Sequence, residues 1–218
     1  VAWGDYNNDG NLDLYLTNNG TNRLYRNNGN GTFTEVGASA GVNDNGDSQI
    51  SAWIDYDNDG DLDIFTTNLN GPNRLFRNNG NGTFTEVAAS AGVADANGLG
   101  VTCGDYDNDG YIDIYVSKWG IANRLYRNQG NGTFTEVGAS AGVADAGNGL
   151  GVTWGDYNND GYLDLYLVNN NGTNRLYRNN GNRTFTEVGA SAGVNYTGDS
   201  SDAAWGDYDN DGDLDLYL

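Results

Sequence analysis

Five copies of one loop pattern, D-x-[DN]-x-D-G-x-x-D, constrain this chain more than any other feature. The first reads Asp5-Tyr6-Asn7-Asn8-Asp9-Gly10-Asn11-Leu12-Asp13, and the others open at Asp55, Asp105, Asp156 and Asp207, at spacings of 50, 50, 51 and 51 residues. Oxygen-bearing side chains at positions 1, 3, 5 and 9, with a glycine at position 6, are what a hard cation requires. Ca²⁺ takes roughly six to eight oxygens, and alternating residues converge on one point only if the backbone turns sharply at the glycine. Five such loops in register within 218 residues mark a repeated metal-type hairpin.

The flanking residues separate these loops from helix-bracketed calcium hands. Those close on a bidentate Glu at position 12, whereas position 12 here is Leu16, Thr66, Val116, Leu167 and Leu218. After each glycine comes an alternation such as Leu12-Asp13-Leu14-Tyr15-Leu16, which has the period of a strand. The run before each loop is strand-like as well. Asn22-Arg23-Leu24-Tyr25-Arg26-Asn27-Asn28-Gly29 and Gly31-Thr32-Phe33-Thr34-Glu35-Val36 then supply two more strands around an Asn/Gly turn, where positive φ is tolerated. These segments recur at 73–87, 123–137 and 174–188. An Ala-Ser-Ala-Gly-Val stretch follows each, and then a variable linker at 43–49, 94–98, 144–149 and 195–202. Four short strands per repeat of about 50 residues is the size of a propeller blade.

On these residues the chain resembles the FG-GAP/VCBS repeats of integrin-α-like and ASPIC/UnbV-type calcium-binding propellers. The carriers are Ala2-Trp3-Gly4-Asp5-Tyr6-Asn7-Asn8-Asp9-Gly10 and Asn22-Arg23-Leu24-Tyr25-Arg26-Asn27, and the likeness covers essentially the whole chain. It implies an all-β fold, a β-propeller-like array of about four and a half four-stranded blades with a Ca²⁺ hairpin in each. The expected blades are 1–50, 51–100, 101–151 and 152–203, with a half repeat at 204–218. Carried over, the metal ligands are Asp5, Asn7, Asp9 and Asp13 with the Asn11 carbonyl; Asp55, Asp57, Asp59 and Asp63 with Asp61; and Asp105, Asp107, Asp109 and Asp113 with Tyr111. The last two sets are Asp156, Asn158, Asp160 and Asp164 with Tyr162, and Asp207, Asp209, Asp211 and Asp215 with Asp213. About five Ca²⁺ are expected, bound more weakly where Asn7 and Asn158 replace an acid. Integrin-like rings carry more blades, and a half blade closes no ring. The expectation is therefore an open segment, or one unit of a longer array that pairs with its own kind and assembles end to end into a filament.

Charge points the same way. The net charge is −20, and twenty of the thirty acidic residues are Asp inside the five loops. Such crowding is strongly repulsive without a cation, and it disfavours nucleic acid or an anionic membrane as partner. Of ten basic residues nine are Arg, eight of them in R-L-[YF]-R pairs, expected to tie neighbouring blades through carboxylates. Cys103, the one cysteine, takes the place of Trp3, Trp53, Trp154 and Trp205 and is expected to be a buried strand residue. Metal then supplies the staples that disulfides supply elsewhere, and no apolar run approaches the ~18 residues of a membrane span.

Catalysis has little foundation. There is no His, a single Lys (Lys118) and no activated nucleophile, and near-identical saturated loops are structural rather than Lewis-acidic. The leading expectation is a non-catalytic, calcium-stabilised extracellular or cell-surface scaffold for adhesion or assembly, whose partners are further repeats, surface proteins or glycans. The alternative is a carbohydrate-binding propeller, signalled by exposed aromatics beside Asn or Asp in the variable linkers, with Trp119 as a candidate platform. Seven N-x-T sequons at Asn19, Asn30, Asn81, Asn131, Asn171, Asn182 and Asn195 are glycosylation acceptors if the chain is a eukaryotic glycoprotein, and good turn chemistry in any case.

Overall fold

The computed structural model describes residues Val1–Leu218. Each repeat forms an antiparallel sheet in chain order. The first pairs Ala2–Gly4, Asp13–Leu16, Arg23–Asn27 and Phe33–Glu35. In the second, Asn45–Ile54, Asp63–Leu69, Arg74–Asn78 and Phe84–Glu86 pair in turn, and the short strand Asn19–Thr21 adds to the edge of Asn45–Ile54. The third contains Gly98–Gly104, Asp113–Lys118, Arg124–Asn128 and Phe134–Glu136, and the fourth Gly149–Gly155, Asp164–Asn169, Arg175–Asn179 and Phe185–Glu187. Ala204–Gly206 and Asp215–Tyr217 make a two-stranded half sheet. This is the expected all-β array of four and a half propeller-type blades.

The chain forms two compact units, Val1–Gly98 with Gln129–Phe134, and Leu99–Asn128 with Thr135–Leu218. In the first unit, Tyr6, Tyr15, Leu24, Ala40 and Val42 of one repeat pack with Ile64, Phe76 and Phe84 of the next. In the second unit the equivalent positions, among them Tyr106, Tyr115, Leu125, Leu165, Tyr177 and Phe185, form the same kind of core. Trp53 lies parallel to Tyr6 (6.3 Å, 9°) and edge-on to Tyr15 (6.3 Å, 72°). Trp154 does the same with Tyr106 (6.3 Å, 8°) and Tyr115 (6.2 Å, 79°). Both are favoured aromatic geometries. The Gly before the loop makes room for this seam, since a Cβ on Gly4 would sit 2.7 Å from Trp53 Cγ.

Two features differ from the sequence reading. Ala-Ser-Ala-Gly-Val is not plain connection: Gly37–Ala40, Ala88–Ala91, Gly138–Ala141 and Gly189–Ala192 are single helical turns, each stopped by a glycine at φ of 75–84°. Ala favours the turn and a left-handed Gly ends it. Cys103 is half-buried rather than buried, as are Trp53, Trp154 and Trp205 at the same position, whereas Trp3 is 56 % exposed.

The tyrosine that follows the loop explains itself by its hydroxyl. Tyr15, Tyr115 and Tyr166 donate to the carbonyls of Val42, Val143 and Val194 at 2.9, 2.7 and 2.8 Å. Each bond pins the second strand to the residue just after the helical turn, and satisfies a polar group that burial would otherwise penalise.

Candidate metal centre

Each loop is first organised by its own backbone. The position-1 carboxylate accepts the amides of positions 5 and 6. Asp5, Asp55, Asp105, Asp156 and Asp207 all do so, at 2.8–3.1 Å. Two residues turn the chain. Position 4 is always Asn in the left-handed region (Asn8 56°, Asn58 57°, Asn108 56°, Asn159 56°, Asn210 60°), and position 6 is Gly at 85–95°. Asn tolerates that conformation better than other non-glycine residues, which is why the loop uses it there.

Position 9 anchors the loop to the sheet. Asp63 Oδ1 accepts Asn78 N at 2.7 Å and its Oδ2 accepts Tyr56 N at 3.2 Å, and Asp13 and Asp113 are held in the same way. Asp13, Asp63, Asp113 and Asp164 are fully buried. Burial pushes these carboxyls up, against the pull of the backbone amides: Asp63 to about 7, Asp113 to about 8 and Asp164 to about 6, and Asp13 in the same direction. Two position-3 acids, Asp57 and Asp107, are raised too. Asp57 is raised by burial, Asp59 and Asp55; Asp107 is raised by burial and Asp109 while Arg183 pulls it down.

Three loops bring their acids together. In Asp55/Asp57/Asp63, Asp105/Asp107/Asp113 and Asp207/Asp209/Asp215, one carboxylate oxygen from each residue lies within 4.8 Å of the others. Several of these oxygens are buried with no hydrogen-bond partner: Asp57 Oδ1, both of Asp107, and Asp164 Oδ2 in the fourth loop. Asp107 Oδ2 faces the Arg183 guanidinium, but buried carboxylate oxygens without a hydrogen bond are costly, and such a set fits a cation. An all-oxygen donor set suits a hard ion, not a thiolate-loving one.

The remaining expected ligands sit differently. Where position 3 is Asn, its Oδ1 turns onto the loop itself: Asn7 accepts Asp9 N at 3.1 Å and Asn158 accepts Asp160 N at 2.9 Å. Position 5 lies outside the triads; Asp9, Asp59, Asp109, Asp160 and Asp211 accept the amides of Asn11, Asp61, Tyr111, Tyr162 and Asp213. At position 7 the side chains of Asp61 and Asp213 are engaged by the preceding loop, accepting Asn8 Nδ2 at 2.8 Å and Asn159 Nδ2 at 2.7 Å. Asn108 similarly donates to Gly161 O at 2.9 Å. Asn8, Asn108 and Asn159 thus link one loop to the next, a role the repeat pattern alone does not reveal.

Other sequence candidates resolve as follows. The sequon residues Asn19, Asn30, Asn81, Asn131, Asn171, Asn182 and Asn195 are all exposed, and Asn30, Asn81, Asn131 and Asn182 accept the hydroxyl of the Thr two residues on. Arg74 and Arg175 reach the linker acids Asp44 (3.1 Å) and Asp145 (3.7 Å). Those acids recur two residues after Gly-Val, a spacing that could have identified them. The last Asn of the N-R-L-[YF]-R-N motif also ties repeats: Asn78 Nδ2 donates to Tyr6 O and Asn179 Nδ2 to Tyr106 O, both at 2.8 Å. Lys118 is buried, whereas Trp119 (48 % exposed) and Tyr196 (54 %) lie open, with Trp119 bridged to linker residue Asn148.

Fold and loops together define an all-β repeat protein of propeller-type blades, each carrying an acidic, oxygen-donor hairpin. The chain belongs to the FG-GAP-like repeat family, which matches residues 5–66, 55–116, 121–167 and 156–218. A curated relative is Cartilage acidic protein 1 of Mus musculus, 36 % identical over 152 residues; the match takes in 68 % of this chain but only 16 % of that protein's length. Among solved structures, an Agrocybe aegerita lectin that recognises non-reducing terminal N-acetylglucosamine aligns over 98 % of this chain and 58 % of its own, with a TM-score of 0.58 at 24 % identity. The V. cholerae biofilm matrix protein Bap1 aligns over 98 % of this chain and 33 % of its own, with a TM-score of 0.55 at 17 % identity. At those identities the likeness is one of fold.

Proposed function

We propose that this chain is a calcium-stabilised, non-catalytic extracellular repeat scaffold that acts in adhesion or assembly. The observation that carries the calcium reading is the gathering of loop carboxylates into triads, with buried oxygens of Asp57, Asp107 and Asp164 that make no hydrogen bond. Calcium is preferred to magnesium because loops offering many oxygens in flexible geometry suit the larger ion, and exposed loops of this type work at the millimolar-range concentrations met outside cells. No helix is long and apolar enough to cross a membrane.

The assembly reading is supported by the chemistry of the aromatic seam. Trp3 and Phe33 are exposed where their counterparts Trp53 and Phe84 cover the preceding repeat, and Tyr208 and Tyr217 are exposed where Tyr6 and Tyr15 are covered. A seam of this kind joins like repeats to one another, which is the contact an assembling repeat scaffold uses. Flow dialysis of metal-stripped protein against Ca²⁺ tests the central claim. Saturable binding at several sites at or below the millimolar range is expected, and its absence overturns the reading.

A second reading, carbohydrate binding, is favoured by one observation: exposed Trp119 beside Asn148, with exposed Tyr196 next to Asn195 in the following linker. An aromatic face flanked by amides is suited to a sugar ring. The Agrocybe aegerita lectin, of like fold, recognises N-acetylglucosamine. A glycan array probed with the wild type and with Trp119→Ala decides it: binding lost in the variant supports a sugar site, and no binding by either removes it.

A further inference from the structure

The fourth repeat departs from the other three at one turn. Gly31, Gly82 and Gly132 occupy the centre of an Asn-Gly-Thr turn at φ of 84°, 82° and 79°, and the fourth copy places Arg183 there at 70°. This is backbone that side-chain-bearing residues other than Asn and Asp seldom adopt. The guanidinium extends to the third loop, where Arg183 Nε lies 2.7 Å from Asp107 Oδ2; the Asp107 side chain is 1 % exposed and that of Arg183 is 54 % exposed. Neither Asp107 oxygen has a hydrogen-bond partner, so the contact is an ion pair rather than a directed hydrogen bond. Asp107 is also one of the three carboxylates gathered with Asp105 and Asp113.

The second loop is a built-in comparison. It has the same acids at positions 1, 3, 5 and 9 (Asp55, Asp57, Asp59, Asp63) and the same triad. Beside its Asp57 lies Gly132, lining a shared hollow where the fourth repeat would place an arginine. Two loops with the same acids at positions 1, 3, 5 and 9 therefore differ by this cation, and at position 7 by Asp61 in place of Tyr111.

We propose that Arg183 is a resident counter-cation for the third loop. It pairs with Asp107 when no divalent ion is bound, weakens divalent-ion binding at Asp105, Asp107 and Asp113 relative to the second loop, and leaves Asp107 when the ion enters. This rests on the reading of the loops as calcium sites. A like charge within ion-pair distance of a ligand oxygen opposes the incoming ion, and the half-exposed guanidinium has open solvent into which to withdraw. Binding at this one loop then sets whether the turn at 180–184 is tied to the third loop or free of it, so calcium concentration acts on a specific contact between repeats.

Two glycine amides report the two loops separately, because Gly60 N donates to Asp55 Oδ2 at 3.1 Å and Gly110 N to Asp105 Oδ2 at 2.8 Å. Their ¹H–¹⁵N resonances are followed during Ca²⁺ titration of the full chain, in the wild type, Arg183→Gly and Arg183→Gln. Gln keeps the backbone strain and a polar nitrogen at about the position of Arg Nε, but removes the charge. In the wild type the Gly110 midpoint is expected at a Ca²⁺ concentration about tenfold or more above that of Gly60, a difference of one decade in affinity. In both variants the Gly110 midpoint is expected to fall toward that of Gly60, which stays where it is in the wild type. Coincident midpoints in the wild type, or a Gly110 midpoint that neither substitution moves, overturn the role of Arg183 and leave the calcium reading standing. If neither amide responds to Ca²⁺, both readings fall together.

Discussion

Removing divalent ions should lower the melting temperature by tens of degrees. In the Asp55/Asp57/Asp63 and Asp105/Asp107/Asp113 triads the carboxylate oxygens lie within 4.8 Å of one another. At that separation each charged pair repels by roughly 3 kcal/mol at an effective dielectric of about 20. Protonation of the raised Asp63 and Asp113 relieves part of this, at the expense of holding a proton near neutral pH. A bound Ca²⁺ replaces the repulsion with attraction. At about 100-fold excess over its dissociation constant each site adds about 2.7 kcal/mol to stability, so three triads together add about 8 kcal/mol. In a domain of this size each kcal/mol moves the midpoint by about 2–4 °C, which gives a shift of about 15–30 °C. The assay is a thermal melt followed by circular dichroism, in chelator, in millimolar Mg²⁺ and in millimolar Ca²⁺. Mg²⁺ should restore less, because it demands near-ideal octahedral geometry and sheds water reluctantly. Equal midpoints in chelator and in Ca²⁺ would refute the argument that the triads are metal sites.

The loops were legible because their chemistry is local. Oxygen-bearing side chains at positions 1, 3, 5 and 9, glycine at 6 and a period of two on either side all lie within about a dozen residues, and the four-strand blade follows from turn residues at short range. The helical turns were not legible, since four residues such as Gly37–Ala40 are too few to show a 3.6-residue period. Nor was the interlocking of repeats. Asn78 reaches Tyr6 O across 72 residues of sequence, and Trp53 packs on Tyr6 and Tyr15. When every repeat carries the same residues, nothing in the string states which neighbour a side chain faces. Arg183 is the instructive case. As sequence it is one more basic residue in a turn that tolerates change, and only the fold brings it to Asp107.

Three further predictions test other parts of the argument. Gly4→Ala would place a Cβ 2.7 Å from Trp53 Cγ, and with Trp53 confined by Tyr6, Tyr15 and Phe84 it should cost about 1–3 kcal/mol in a denaturant melt, as overpacking does; an unchanged midpoint would mean the seam is loose. Asp57→Asn should weaken Ca²⁺ binding at the second loop and Asn158→Asp strengthen it at the fourth, each by about tenfold for one ligand charge; calorimetric titration in which neither moves would show that ligand charge does not control affinity. The last concerns pH. In metal-free protein Asp63 and Asp113 hold their protons up to about 7 and about 8 because they are buried, whereas an unfolded Asp releases its proton near ~4. A carboxyl raised in the folded state contributes stability that is complete below the unfolded value and is lost as pH rises through the folded one. The chelated protein should therefore melt at progressively higher temperature as pH falls from about 8 to about 5. In Ca²⁺ the same titration runs the other way, because protons and the ion compete for the same oxygens, so the stabilisation by Ca²⁺ shrinks over that range. Parallel melts at stepped pH with and without Ca²⁺ should converge toward acid; curves that stay parallel would show that the buried aspartates and the ion do not share a site.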